Sequence, residues 1–199
     1  MAASRRWSIW SGAVPFNLAA GQWTDDTSMA LCLATSLVEL RRFDLRDQIE
    51  RYCRWAEQGY LSCTGHCFDI GRTVSAALRR YRETGDPVAG STDPRSSGNG
   101  CIMRLAPVPM FFYPDERAAI EHSAASSRST HGTVDCVEAS GLLGGILVRA
   151  LAGASKEDVL LGGKGQALRS EQIEAIARGD YGVKPESGDT RRRSRRRVP

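Results

Sequence analysis

Apolar residues recur at helical spacing in one segment after another of this chain, and no segment makes a convincing strand. After Asp26, residues Met29, Leu33, Leu37 and Leu40 form one stripe, widened by Ala30, Ala34 and Val38, which predicts a helix buried over most of its surface. A second helix is predicted from the cap Asp44, with Ile49, Tyr52, Cys53 and Ala56 on one face and Gly59 at its end. A third runs from Asp69, with Ile70, Val74, Ala77, Leu78 and Tyr81 inward and Gly85 closing it. Further on, "YPDERAAIEHSAASS" predicts a helix with Asp115 near its start, and "SEQIEAIARG" a short amphipathic one ended by Gly179. "TVDCVEASGLLGGILVRALAGA" predicts a long helix in which Gly141, Gly144 and Gly145 would each cost about 1 kcal/mol if exposed, so close packing against another helix is expected there. The fold class is all-α, a multi-helix bundle joined by loops.

A chain of 199 residues with 41% hydrophobic residues can bury the core of one ordinary domain. No run approaches the roughly 18 apolar residues of a membrane helix, and "MAASRRWSIWSGAVPF" has no apolar stretch of signal-peptide length. Cys32, Cys53, Cys63, Cys67, Cys101 and Cys136 are scattered, which favours reduced thiols and a cytoplasmic setting. The net charge of +4 comes from "RRRSRRR", Arg191 to Arg197, and the remainder is slightly acidic, so nucleic-acid binding is expected only non-specifically through that tail. "CTGHC" lacks the fourth ligand of a structural zinc site, and "GGKGQAL" lacks the spacing of a P-loop.

Two stretches carry chemistry of their own. "GQWTDDTSMAL" places Asp25 and Asp26 between threonines at a helix start. Adjacent carboxylates repel unless a cation or helix dipole compensates, and hydroxyl and carboxylate oxygens are the hard ligands that Mg²⁺ and Ca²⁺ prefer. Ordinary capping explains the same residues, since Thr and Asp are favoured at helix starts. The loop "GDPVAGSTDPRSSGNGC" is too rich in Gly, Pro, Ser and Asp for a packed element, which leaves a connector or a functional loop.

Taken in order, "GQWTDDTSMALCLATSL", "GHCFDIGRTVSAAL", "SSGNGCIMRLAPVPMFF" and "STHGTVDCVEAS" resemble the ADP-ribosylglycohydrolase family, relatives of the enzyme that reactivates ADP-ribosylated dinitrogenase reductase. The resemblance runs over about residues 14 to 178. It implies an orthogonal all-α bundle with a two-metal Mg²⁺ or Mn²⁺ centre, where the glycosidic bond of ADP-ribose is hydrolysed. Thr24, Asp25 and Asp26 match the family's first metal-ligand motif. Metal ions in such a centre hold ribose hydroxyls, orient water and stabilise charge at the anomeric carbon.

By the same resemblance, Ser97, Gly98, Asn99 and Gly100 surround the substrate's phosphates and ribose, for which glycine supplies backbone N–H groups that can converge on an anion. His131 matches a histidine placed close to the ligand, with helix capping as its competing account. Asp69 is a secondary catalytic candidate, beside the metals or the ribose, and helix N-cap is an equally good account. The implied partner is an ADP-ribosylated protein or an ADP-ribose-containing small molecule.

The family's early Gly-Asp segment and its catalytic glutamate have no counterpart, since no acidic residue precedes Asp25, and its later Asp-x-Asp-Thr has none beyond the weak substitute "SGDT", Ser187 to Thr190. A chain truncated at both ends is therefore expected, with residues 1–13 outside the family region, 14–179 a partial domain and 180–199 a disordered basic tail. Thr24, Asp25 and Asp26 alone would leave much of an octahedral shell to water. The alternative reading is an inactive fragment or a non-catalytic ADP-ribose-binding protein, and an arginine-tail interaction protein is a third.

Overall fold

The computed structural model describes Phe16, residues 18–163 and residues 167–180. The "SGDT" segment, the arginine run and residues 1–13 lie outside the described residues.

Eight α-helices follow one another among the described residues: α1 (Asp25–Leu40), α2 (Leu45–Gln58), α3 (Arg72–Thr84), α4 (Pro107–Phe112), α5 (Glu116–Ser127), α6 (Val134–Leu151), α7 (Lys156–Leu161) and α8 (Glu171–Arg178). The only β pairing among them is a single parallel bridge between Ser91 and His131. The helix boundaries follow local chemistry. Asp44 accepts from the Asp47 N–H at 3.1 Å, Asp115 from the Ala118 N–H at 2.9 Å, and Ser170 from the Ile173 N–H at 3.3 Å, each satisfying a donor that the helix start leaves free.

Gly59 ends α2 in the left-handed conformation, φ +68°, and donates back to the Trp55 carbonyl. A Cβ there would lie 2.1 Å from the Gly65 carbonyl oxygen, so close approach as well as φ demands glycine.

The main core joins Met29, Leu33 and Leu37 of α1 to Ile49, Tyr52 and Trp55 of α2, to Val74 and Leu78 of α3, and to Leu105 and Val108. Each fully buried Leu, Ile or Val contributes about 1.5–3 kcal/mol relative to exposure. Arg51 ties α2 to α1, donating to Asp47 at 2.6 Å and to Glu39 at 2.8 Å. His122 of α5 stacks between Phe43 and Phe112, with ring centroids 4.6 and 4.2 Å away. A smaller cluster sets Ile173 and Ala177 of α8 against Leu142 of α6.

Two sequence expectations are corrected. Helix α1 is not buried over most of its surface: Val38 is 68% exposed, and Ala30 and Ala34 are half-buried. Ser28 and Ser36 fill the buried face instead, because small hydroxyls can occupy tight helix contacts. Helix α3 begins at Arg72 rather than at Asp69, and Ile70 lies before it. Asp69 has φ +59°, a left-handed conformation that Asp tolerates better than most residues but that cannot start a helix.

Candidate active site

The segment entering α1 is fastened by a thiol. Cys63 donates to the Trp23 carbonyl at 2.9 Å and accepts from the Trp23 N–H at 3.2 Å, while the Trp23 indole donates to the Leu61 carbonyl at 3.4 Å. The next residue, Thr24, is the N-cap of α1, yet its side chain makes no capping bond. The capping account of this motif therefore loses its hydroxyl contribution, and Asp25 and Asp26 occupy the first turn.

Asp25 is half-buried and its carboxyl is pushed up to about 6, first by burial and then by the negative charges of Asp69 and Asp26. A concentration of carboxylates that raises its own protonation energy is chemically suited to a cation. Among the described residues, however, no group of three or more His, Cys, Asp or Glu side chains is disposed to hold a metal ion. Thr24, Asp25 and Asp26 thus suit a hard divalent ion in donor type and charge, and they supply part of its coordination shell.

Opposite α1, the loop after α3 is sewn to the loop between α5 and α6. Gly90 donates to the Arg128 carbonyl at 2.9 Å and Gly132 to the Ser91 carbonyl at 3.0 Å. A Cβ on Gly90 would stand 2.6 Å from the His131 nitrogen, so the two backbones touch directly. Ser97 shares a 3.0 Å hydrogen bond with Thr133, whose hydroxyl also caps α6 by accepting from the Cys136 N–H at 3.3 Å. The Cys136 and Cys101 sulfurs lie beneath the loop, 3.4 and 3.8 Å from the Gly98 carbonyl oxygen.

These contacts close a cleft of about 130 Å³ lined by Asp25, Gly71, Arg72, Thr73, Val74, Gly98, Asn99, Gly100, Met103 and His131. Of the residues singled out in the sequence, Asp25, Gly98, Asn99, Gly100 and His131 meet there. Thr24 and Asp26 share the turn with Asp25 but do not line the wall, Ser97 is turned toward Thr133, and Asp69 acts on Asp25 through its charge. The α3 N-terminus has Gly71 as N-cap and no side-chain cap, and its first residues, Gly71 to Val74, line the cleft. His131 is 2% exposed, and burial with the nearby Arg104 charge lowers its ring pKa to about 4.

The sequence model of the ADP-ribosylglycohydrolase family matches residues 3–196. The chain belongs to the ADP-ribosylglycohydrolase family. An ADP-ribosylarginine hydrolase, Tri1, of Pseudomonas putida is 42% identical over 149 residues, covering 75% of this chain and 40% of that protein. The Serratia proteamaculans protein of the same name is 39% identical over 146 residues, covering 73% and 40%. A solved structure described as an ADP-ribosylglycohydrolase-related protein complex superimposes with a TM-score of 0.70 at 37% identity, covering 86% of this chain and 56% of its own. The chain spans about two fifths of the length of those two curated relatives. The all-α architecture expected from the sequence is that of the family.

Arg104 and Thr130 went unweighed in the sequence, although both stand inside or beside the quoted motifs. An arginine in "GCIMRLAP", between apolar residues on both sides, was the available signal.

Proposed function

We propose that the chain acts as a hydrolase of ADP-ribose conjugates, cleaving the glycosidic bond to a protein side chain or a related acceptor. What supports this reading is the meeting of Asp25, the Gly98–Gly100 loop and His131 on the walls of one cleft. The loop backbone, the uncapped start of α3 and Arg72 suit the pyrophosphate, an anion that converging N–H groups and a guanidinium stabilise. His131 is suited to the ribose, with a neutral ring at physiological pH. Mg²⁺ or Mn²⁺ would be held by Thr24, Asp25 and Asp26, where its chemistry is that of a Lewis acid toward ribose oxygens and water. Arginine is the first linkage to test, because two relatives carry that specificity in their names. No helix among the described residues is long and apolar enough to cross a membrane, and the free cysteines suit a cytoplasmic setting.

The test is release of ADP-ribose from an ADP-ribosylated arginine protein by the purified chain, with and without Mg²⁺ or Mn²⁺. Metal-dependent release is expected, and no release at any metal concentration removes the reading. A second reading, a non-catalytic ADP-ribose binder, is favoured by one observation: Asp25 is the single carboxylate among the described residues that line the cleft. It is distinguished by thermal stabilisation with ADP-ribose in the absence of release.

A further inference from the structure

We propose that Thr130, anchored by Arg104, is the positioning residue of this site, holding His131 as the tautomer protonated at Nε2 and aiming that N–H into the cleft. The ligand that this N–H meets rests on the function proposed above; the tautomer does not.

Arg104 is fully buried, and among the described residues it has no carboxylate partner. A buried guanidinium is costly unless its donors are placed on acceptors. Here Nη1 donates to the Gly100 carbonyl at 2.9 Å, while Nη2 reaches Thr130 Oγ1 at 2.8 Å, Ser129 Oγ at 3.1 Å and the Ser126 carbonyl at 3.4 Å; Nε alone has no partner among the described residues. Its plane lies over the Tyr52 ring, 4.6 Å from the centroid. One side chain thus grips the loop bearing Gly98–Gly100 and the turn bearing His131.

The tautomer follows from proton accounting. Arg104 is donor only, so Thr130 Oγ1 must accept from it. Thr130 is fully buried, and the one other partner of its hydroxyl among the described residues is His131 Nδ1, at 2.9 Å. If Nδ1 carried a proton toward Thr130, the threonine hydroxyl hydrogen would be buried with no acceptor, which costs about 1–3 kcal/mol. The hydroxyl therefore donates to Nδ1, Nδ1 is the lone-pair nitrogen, and the ring proton sits on Nε2. The position of a Cβ on Gly98 would be 3.5 Å from that Nε2, so the absence of a side chain at 98 leaves the N–H open to the cleft.

A ring in this form donates to an oxygen of the ligand, a ribose oxygen or a phosphate oxygen, and cannot take a proton at Nε2. His131 is thereby assigned to holding the substrate rather than to acting as a base.

Long-range ¹H–¹⁵N correlation spectra of the full chain, with ¹⁵N-labelled histidine, read the tautomer directly, and the H131Q variant assigns the signal among the three histidines. A neutral ring protonated at Nε2 is expected in wild type, and a ring protonated at Nδ1 overturns the proposal. Arg104→Met leaves Nδ1 as the one acceptor for the Thr130 hydroxyl hydrogen and is expected to keep the Nε2 tautomer. Thr130→Val removes the hydroxyl that donates to Nδ1 and is expected to mix the tautomers, while Thr130→Ser keeps the wild-type pattern. Persistence of the single Nε2 tautomer in Thr130→Val overturns the proposal. ADP-ribose affinity is expected to fall about five- to tenfold in Thr130→Val and to return in Thr130→Ser. Absence of any ADP-ribose binding in wild type would count against the proposed function and leave the tautomer result standing.

Discussion

His131 packs so closely on Gly100 that a Cβ at position 100 would lie 2.7 Å from the ring's Cε1 and 3.2 Å from its Nε2. The ring cannot yield easily, because it is buried and bonded to Thr130. Gly98, by contrast, would place its Cβ 3.5 Å from Nε2, an ordinary contact, and its backbone is extended with φ −168°. Gly100→Ala is therefore expected to lower stability by about 1–3 kcal/mol in chemical denaturation. Gly98→Ala is expected to stay within about 0.5 kcal/mol of wild type, yet to weaken ADP-ribose binding by covering the N–H. Equal stability loss in both variants would contradict this packing.

The glycines of α6 are not equivalent. A Cβ on Gly144 would lie 2.5 Å from Ser123 Oγ of α5, whereas one on Gly141 would meet Ile120 and Ala124 at 3.6 Å. Gly144→Ala is expected to destabilise by about 1–3 kcal/mol through overpacking. Gly141→Ala is expected to be neutral or to stabilise by up to about 1 kcal/mol, through better helix propensity. Thermal denaturation of the two variants measures the difference in sign.

Burial and the Arg104 charge lower the His131 pKa from 6.5 to about 4. Between those values the unfolded chain binds the proton and the folded chain does not, so stability falls as pH falls through that window and is unaffected above it. The whole effect is on the order of 3 kcal/mol. Denaturation midpoints of wild type and His131→Gln, followed from pH 7 to pH 4, should diverge, with the variant showing the shallower loss.

Asp25 faces the charges of Asp69 and Asp26 from a half-buried position. Without divalent metal, Asp25→Asn removes that repulsion and is expected to melt at the same temperature as wild type or slightly higher. Addition of Mg²⁺ or Mn²⁺ should raise the melting temperature of wild type and leave the variant unmoved. A metal-dependent rise of equal size in both proteins would remove Asp25 from the ligand set.

Much of the helical scaffold is legible in the sequence. Asp44, Asp115, Gly59, Gly85 and Gly179 mark the ends of α2, α5, α3 and α8 where the sequence places them. The short helices α4 and α7 were not anticipated, because six residues hold too few turns to show a period. That Asp25, Gly98 and His131 line one cleft was legible only through resemblance, because they are far apart in the chain and no local pattern brings them together.

Capping and helical periodicity act between residues three or four positions apart, so the sequence by itself determined the longer helices, the run of small residues along α6 and the hard-oxygen character of "TDDT". Other properties depend on partners that only the fold delivers. The burial of Arg104, its reach to Gly100 and Thr130, the neutrality of His131 and the uncapped start of α3 were decided by tertiary structure. The physical reason is that desolvation and hydrogen-bond satisfaction are properties of a surrounding, and three of the oxygens around Arg104 come from residues 22 to 26 positions away in the chain.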